Sequence, residues 1–182
     1  MPFGADFEGV LGAAQSGSHE AVARLYRDLN PAIARFMRAR AGDAADDLVQ
    51  DTWASAASQL ATFSGSEASF RAWLFTIAHR RLVDHWRRSG RQRDVPVAAD
   101  EIESRTDPEE AADAMTGDAA VRELLAPLTD EQAEIVLLRV VAGLSVEEVA
   151  AIVGKRAGTV RVIQHRALRR LEAELGRGAV TP

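Results

Sequence analysis

Apolar residues recur three or four positions apart along most of this 182-residue sequence, and this spacing constrains the fold more than any other feature. The clearest series lies between residues 20 and 40 and consists of Val22, Leu25, Leu29, Ile33, Phe36 and Met37. These positions follow the period of an α-helix with one buried face. A half-buried strand would alternate apolar and polar residues, and no useful length of the sequence does so. The pattern therefore predicts an all-α fold.

Helix boundaries in the first half of the chain follow from capping and helix-breaking residues. The first long helix is expected to end at Gly42, and Pro31 is expected to bend or restart it. Asp43 or Asp46 is expected to cap the second helix. The third helix is expected to start near Ser69, after a short loop of turn residues. These helices are predicted to form one small unit.

Helical periodicity fades beyond the third helix and returns towards the C-terminus. The stretch between them contains prolines and many acidic residues, a composition typical of a linker. The predicted segments are a flexible N-terminal tail at 1–18, a first unit at 19–92, an acidic linker at 93–117, a second unit at 118–176 and a C-terminal tail at 177–182. We therefore expect two small helical domains joined by a flexible linker.

A formal net charge of −5 conceals a strong separation of charge along the chain. The segment from Arg71 to Arg93 carries seven arginines and one acid, Asp84, and the segment from Lys155 to Arg170 carries six basic residues and no acid. Most of the acids between these blocks lie in the linker. Basic blocks of this kind are typical of nucleic-acid binding.

Composition disfavours several other functional classes. The sequence has no cysteine, and its four histidines are scattered, so we predict neither a metal site nor a cofactor. It has no glycine-rich phosphate loop and no evident nucleophile with its base, so we expect no catalytic residue. No apolar run approaches ~18 residues, and the N-terminus does not read as a secretory signal. We therefore expect a cytoplasmic protein with no membrane insertion.

The strongest local signal is a helix-turn-helix in the second unit. Ser145 and Glu148 have the spacing of a capping box, which predicts a helix start. Small Ala150 permits close helix crossing, and Gly154 permits the left-handed backbone that a tight turn needs. The following helix is expected to begin near Ala157.

This second helix is expected to present donors and cations outward, as a recognition helix does in the major groove. The predicted DNA-binding residues are Lys155, Arg156, Thr159, Arg161, Val162, His165 and Arg166. The alternative is a helical hairpin with a solvated basic face.

Two long runs of sequence resemble one known family. The run DDLVQDTWASAASQLATFSGSEASFRAWLFTIAHRRLVDHWRR resembles region two of extracytoplasmic-function (ECF) sigma factors, which form group 4 of the sigma-70 family. The run LTDEQAEIVLLRVVAGLSVEEVAAIVGKRAGTVRVIQHRALRRL resembles their region four. The resemblance covers about residues 20–175. It implies an RNA polymerase sigma factor that directs core polymerase to promoters and starts DNA melting.

The resemblance implies roles for the first unit. Docking on the clamp helices of the largest polymerase subunit is implied for Asp47, Leu48, Gln50 and Asp51. The acids at 43 and 46 could instead simply favour the helix dipole. Recognition and melting of the minus-ten element are implied for Phe63, Ser64, Ser66, Ser69, Arg71, Trp73, Arg80, Arg81, Trp86, Arg87 and Arg88.

Some positions admit a second interpretation. Trp73 lies on an apolar stripe, a spacing more typical of a core than of a base platform. His79 and His85 are expected to be surface residues. The sequence reads IAHR at 77–80 where many relatives carry an asparagine, so the base preference at Arg80 stays open.

The resemblance also implies partners. These are core RNA polymerase (clamp helices and flap), double-stranded promoter DNA, the melted nontemplate strand and an anti-sigma factor. The second unit would read the minus-thirty-five element, and the linker would thread through basic polymerase channels or serve as a solvated tether. Two other classes stay open: a stand-alone helix-turn-helix regulator, and an adaptor that binds polymerase without reading DNA.

Overall fold

The computed structural model describes residues 6–90, 117 and 119–178 of the chain. Its regular structure is helical, and no strand occurs among these residues, which confirms the predicted all-α fold. Short 3-10 turns at Gly42–Ala44 and Leu60–Thr62 connect elements of the first unit. The helices of that unit are α1 (Phe7–Gln15), α2 (His19–Ala41), α3 (Ala45–Gln59) and α4 (Glu67–Arg88).

The second unit is built from shorter helices and one long one. They are α5 (119–125), α6 (Asp130–Val140), α7 (Val146–Val153) and α8 (Ala157–Gly178). The predicted linker at 93–117 lies outside the described residues, except for residue 117. Helix α8 continues through Gly178, two residues beyond the predicted end of the second unit at 176. A glycine in a helix costs only about 1 kcal/mol, which does not by itself end a long helix.

Large side chains from α2 and α4 form the centre of the first unit. Phe36, Phe70 and Phe75 are essentially fully buried. The Phe36 and Phe75 rings meet edge to face, with centroids 5.7 Å apart, an arrangement that adds stability beyond area burial. On α3, the buried Thr52 hydroxyl donates to the Leu48 carbonyl at 2.7 Å, so this polar group is satisfied inside the core.

The predicted N-terminal tail at 1–18 is wrong, because half of it forms α1. Phe7, Val10, Leu11 and Ala14 are all buried against the rest of the unit. Their spacing places them on one helical face. The Phe7 ring lies 5.7 Å from the Phe70 ring, centroid to centroid, which ties α1 to α4. The first unit therefore has four main helices rather than three.

The predicted restart of the first long helix at Pro31 and the predicted N-cap of the next helix are both wrong. Helix α2 runs through Pro31 without a break, from an N-cap at Ser18 to Gly42. Neither Asp43 nor Asp46 caps α3, since a 3-10 turn at 42–44 leads directly into it and its N-cap is Ala44. Asp46 instead lies 3.6 Å from the Arg38 guanidinium on α2.

The core of the second unit gathers apolar residues from α6, α7 and α8. Leu138 of α6, Val149 of α7 and Val160 of α8 are fully buried. Thr129 starts α6 with a capping box in which its hydroxyl accepts from the Gln132 N–H and its own N–H donates to the Gln132 side chain. The capped helices therefore meet at one small apolar centre.

The two units are packed against each other. Helix α6 lies against α2, and α7 lies against α4. His79 of α4 is 8% exposed, so its expected surface position is wrong. Its imidazole Nε2 lies 2.9 Å from Glu134 Oε1 of α6, and burial comes from this approach of the second unit. His85 is half-buried on the same helix.

Candidate nucleic-acid interface

The turn between α7 and α8 has the geometry of a helix-turn-helix. The Ser145 hydroxyl accepts from the Glu148 N–H at 3.2 Å, and the Ser145 N–H donates to the Glu148 carboxylate at 2.6 Å. Gly154 ends α7 in the left-handed region, with φ 67° and ψ 34°. Ala150 is buried at the crossing. The capping box, the turn glycine and the start of the next helix at Ala157 are all confirmed.

The predicted reading face of α8 is open to solvent. Val160 and Ala167 face inward and are fully buried, which orients the rest of the helix. All seven predicted DNA-binding residues of this unit are exposed: Lys155, Arg156, Thr159, Arg161, Val162, His165 and Arg166. The structure thus brings them together on one accessible face at the N-terminal part of α8, the part that enters a major groove in such motifs.

Two cations of this face are paired with acids of their own unit. Lys155 Nζ lies 2.5 Å from Glu131 Oε1, and Arg161 Nη2 lies 2.6 Å from Glu147 Oε1. All four side chains are substantially exposed, so each pair is worth little in water. These cations can therefore exchange a carboxylate for a phosphate at small cost.

Arg139 is a residue of this site that sequence reasoning missed. Its Nε donates to Gln164 Oε1 of α8 at 3.2 Å, and its Nη1 donates to the Leu144 carbonyl just before α7. One guanidinium therefore fixes α6, the approach to α7 and the recognition helix relative to one another. The available signal was a single arginine inside the apolar run IVLLRVV.

The loop before α4 is shaped by its serines and a glycine. Ser66 caps α4 by accepting from the Ser69 N–H at 3.3 Å, and the two hydroxyls lie 3.1 Å apart. Gly65 has φ +149°, a conformation that side-chain-bearing residues rarely adopt. Ser64, Ser66 and Ser69 are all exposed, so the predicted reading loop is accessible.

Gln15 supports this loop from α1, a role that sequence reasoning also missed. Its side-chain amide donates to the Leu60 carbonyl at 3.0 Å and to the Phe63 carbonyl at 2.7 Å. The two acceptors are the first residue of the 3-10 turn that leads into the loop and the residue that follows this turn. Since the sequence predicts a tail over these residues, no local signal singles out this glutamine.

An aromatic cluster stands behind the loop. The Phe63 ring lies 5.1 Å from Phe70 and 5.0 Å from Trp73, and Phe70 lies 5.2 Å from Trp73, all between centroids. Phe70 is 1% exposed, whereas Phe63 and Trp73 are half-buried. Phe63 and Trp73 therefore belong to the packing of the unit and also reach its surface.

The arginines of α4 fall into two groups. Arg80, Arg87 and Arg88 are exposed. Arg71 is half-buried and pairs with Glu67 at 3.1 Å, and Arg81 donates to the Ser55 hydroxyl of α3. Trp86 is half-buried, with the Arg40 guanidinium 5.0 Å from its ring centroid. The structure therefore places only the first group fully at the surface.

The predicted polymerase-docking residues line a shallow depression. Asp47, Gln50 and Asp51 are exposed there beside His85 and Arg88 at the end of α4. Leu48 is only 3% exposed, so its side chain packs inside the unit and supports the patch from below. The prediction of direct docking through Leu48 is therefore wrong for this arrangement, because its side chain is committed to the core.

Two further observations concern metal binding and membrane insertion. In the part of the chain that the structure describes, no group of three or more histidine or acidic side chains could hold a metal ion. No helix among the described residues is long and apolar enough to cross a membrane.

Comparison with known proteins identifies the family. Residues 25–92 match the family model of Sigma-70 region 2, and residues 118–171 match that of Sigma-70, region 4. The chain is 34% identical over 180 residues to the ECF RNA polymerase sigma factor SigD of Mycobacterium tuberculosis, covering 94% of this chain and 85% of that one. It belongs to the ECF family of RNA polymerase sigma factors. Members of this family are transcription-initiation factors.

Further relatives of this sigma factor agree in sequence and in fold. ECF RNA polymerase sigma factor ShbA of Streptomyces griseus is 35% identical, with 90% of this chain and 94% of that chain covered. The solved structure of CnrH in complex with the cytosolic domain of CnrY is similar with a TM-score of 0.64 and 27% identity, covering 92% and 96% of the two chains. The solved structure of the sigma factor RpoE in complex with the anti-sigma factor NepR from Bartonella quintana is similar with a TM-score of 0.63 and 28% identity. The match covers 85% of this chain and 96% of that one.

Proposed function

We propose that this sigma factor directs core RNA polymerase to promoters by reading two separate DNA elements, one with each unit. The observation that carries the proposal is the helix-turn-helix of the second unit, whose seven predicted reading side chains are all exposed on one face. That unit reads the minus-thirty-five element as duplex DNA. The first unit melts and reads the minus-ten element.

Readout at the minus-thirty-five element follows from the chemistry of α8. Arginine makes bidentate bonds to guanine in the major groove, and nearby cations neutralise phosphates. Thr159, Arg161 and Arg166 are the exposed donors in the half of α8 that enters the groove, and Val162 offers an apolar contact to a thymine methyl. Arg139 keeps this helix in place through Gln164.

Melting at the minus-ten element requires a site for an unstacked base. Flipping a base costs a few kcal/mol of pairing and stacking, roughly, which a protein offsets with hydrogen bonds and aromatic surface. Ser64 and the capping serines supply hydroxyls, and the exposed parts of Phe63 and Trp73 supply aromatic surface beside them. Arg80, Arg87 and Arg88 supply phosphate contacts along α4.

Polymerase binding is proposed to use acidic residues, in contrast to the basic residues proposed to contact DNA. Asp47, Gln50 and Asp51 form an exposed acidic patch at the start of α3, suited to basic residues of the polymerase clamp. The second unit would contact the flap.

In this scheme the chain itself catalyses no reaction and needs no cofactor, since polymerase carries out the chemistry. It acts in the cytoplasm, at the nucleoid.

A protein partner is proposed as the means of control. Two solved relatives are described as complexes, CnrH with the cytosolic domain of CnrY and RpoE with the anti-sigma factor NepR. By similarity, an anti-sigma factor would hold this sigma factor inactive until a signal releases it.

Reconstituted transcription tests the proposed function. The full chain is combined with core RNA polymerase and a library of promoter fragments, and start sites are mapped with and without the chain. We expect start sites that depend on the chain and share two elements upstream. Duplex binding without initiation would instead indicate a stand-alone regulator, and polymerase binding without sequence preference would indicate an adaptor.

A further inference from the structure

The side chain of Gln15 joins α1 to the backbone from which the proposed minus-ten reading loop starts. Its Nε2 donates to the Leu60 carbonyl at 3.0 Å and to the Phe63 carbonyl at 2.7 Å. An amide nitrogen carries two hydrogens, so one side chain can satisfy both acceptors at the same time. Gln15 is the last residue of α1, and its acceptors lie 45 and 48 positions further along the chain. These bonds therefore connect distant parts of the first unit.

The Phe63 carbonyl lies where the backbone changes conformation. The 3-10 turn Leu60–Thr62 ends with the Phe63 N–H donating to the Leu60 carbonyl at 3.1 Å. Phe63 itself is extended, with φ −71° and ψ 137°. A trans peptide group is planar, so the direction of the Phe63 carbonyl also sets the direction of the Ser64 N–H. Gln15 therefore orients the peptide group with which the loop begins.

The rest of the loop follows a closely packed path. Gly65 has φ +149°, and a Cβ placed on it would lie 3.1 Å from Ser69 Cβ and 3.3 Å from Phe63 Cζ. At its far end the loop is held by Ser66, which caps α4. The loop at 63–66 is thus held at its start by Gln15 and at its end by the cap of α4.

Helix α1 meets the reading site at both of its ends. Phe7 in its first turn lies against Phe70, and the Phe70 ring lies 5.1 Å from the Phe63 ring, centroid to centroid. Gln15 in its last turn binds the Phe63 carbonyl. These two contacts are about 12 Å apart along the helix, at 1.5 Å per residue. The same residue of the site is therefore supported through its ring and through its backbone.

Support of this kind matters for a site that receives an unstacked base. A loop that is already ordered loses less conformational entropy on binding than a loop that must become ordered on the DNA. The Ser64 hydroxyl and the exposed part of Phe63 are the groups proposed to receive the base, and both belong to the segment that Gln15 orients. Loss of the two bonds should therefore weaken melting and blur the distinction between bases.

We propose that Gln15 is a positioning residue for promoter melting, which holds the loop at 63–66 in the conformation that receives the unstacked base. This inference rests on the proposed reading of the minus-ten element by the first unit. In this scheme Gln15 contacts no DNA, and its N–H donors, rather than its size, are what the reading loop requires.

Three substitutions separate the N–H donors from the rest of the side chain. Gln15→Glu keeps the size but cannot donate, Gln15→Ala removes the whole amide, and Gln15→Arg restores N–H donors. The full chain is combined with core polymerase and with promoters that carry each of the four bases at each minus-ten position. Permanganate reactivity of thymines measures melting. We expect Gln15→Glu and Gln15→Ala to slow melting of the best promoter on the order of tenfold. The preference among the four bases should narrow in both variants, and Gln15→Arg should recover both properties.

Gln59→Ala is the matched control. The Gln59 amide also donates to a backbone carbonyl, that of Ser55 at 3.0 Å, but this bond lies within α3. We expect Gln59→Ala to melt promoters like the unmodified chain. Unchanged melting and base preference in Gln15→Glu and Gln15→Ala, or an equal loss in Gln59→Ala, overturns the positioning role. Slower melting with an unchanged base preference also overturns it, because a general loss of stability, measured by urea denaturation, would then explain the result.

A second measurement needs neither DNA nor polymerase. Nitrogen-15 relaxation of the free full chain reports the order of the Ser64 and Gly65 amides. We expect lower order parameters for both amides in Gln15→Ala, and values like those of the unmodified chain in Gln59→Ala. Equal order in the two variants contradicts the support of the loop by Gln15. Failure of the unmodified chain to melt any promoter counts against the proposed function instead, since the relaxation measurement does not depend on it.

Discussion

In the second unit, the side chains proposed to read DNA are distinct from those that form the core. In the first unit, some side chains belong to both sets. On α8 of the second unit, Arg161 and Arg166 are exposed while Val160 and Ala167 on the other face are fully buried. In the first unit, Phe63 and Trp73 pack into an aromatic cluster and reach the surface at the same time. Recognition of duplex DNA needs only a rigid face of hydrogen-bond donors. A site for an unstacked base also needs exposed aromatic surface, which here comes from side chains that pack in the core. Substitution of the exposed donors of α8 should therefore change DNA binding without changing stability, whereas substitution of Phe63 or Trp73 should change both.

The largest expected effect concerns the packing of α1. Phe7→Ala should lower the free energy of unfolding by about 3 kcal/mol, because it removes a buried ring in contact with Phe70. Urea denaturation of the full chain measures the change. Glu8→Ala, at an exposed position of the same helix, should change stability by less than ~0.5 kcal/mol. Equal effects of the two substitutions would mean that α1 does not contribute to the core.

The next prediction separates DNA binding from polymerase binding. Arg161→Ala should weaken binding to the minus-thirty-five element by about 2 kcal/mol, roughly thirtyfold, because it removes a donor from the reading face. Asp51→Ala should leave that affinity unchanged and weaken binding to core polymerase, because the substitution removes charge from the acidic patch. Fluorescence anisotropy with labelled duplex and with labelled polymerase measures both affinities. Loss of DNA affinity in both variants would contradict this division.

A pair of glycines tests the turn of the second unit. Gly154→Ala should cost about 1–2 kcal/mol, because Gly154 has a left-handed backbone that alanine adopts only with strain. Gly158→Ala lies in the first turn of α8 with open space around it, and it should be neutral or stabilise by up to about 1 kcal/mol. Thermal unfolding of each variant shows whether the substitution raises or lowers stability. A stabilising Gly154→Ala would show that the turn is not held in this conformation.

The smallest effects test the reading loop. Ser66→Ala should cost up to about 1 kcal/mol, because it removes the N-cap of α4. Ser64→Ala, at an exposed position next to it, should leave stability within about 0.5 kcal/mol of the original while reducing promoter melting. Melting is followed by permanganate reactivity of thymines, and stability by urea denaturation. If Ser64→Ala melts promoters as well as the original chain, the proposed reading role of that hydroxyl is refuted.

What the sequence predicts well is what local interactions decide. The start of α7 depends on Ser145 and Glu148, three residues apart, and its end depends on the backbone of Gly154 alone. These interactions need no distant partner, so their spacing in the sequence was sufficient. The exposed reading face of α8 followed from the same helix register.

Features that depend on contacts between residues far apart in the chain are predicted poorly from the sequence. Helix α1 carries buried Phe7 and Leu11 at helical spacing, but Gly9 and Gly12 make the segment a poor helix by itself. Its stability comes from packing on α2 and from the contact of Phe7 with Phe70 of α4, far along the chain. The sequence predicts a surface position for His79 because its partner, Glu134, lies in the other unit and no neighbouring residue indicates that contact.

The two hydrogen bonds from Gln15 have a practical consequence for engineering. Because this amide holds the carbonyls of Leu60 and Phe63 at the turn before the loop, α1 is a structural part of the surface proposed to read the minus-ten element. A chimera that transplants promoter specificity between relatives must carry residues 6–15 with the rest of the first unit. An affinity tag that replaces this helix would alter the loop without changing any residue proposed to contact DNA.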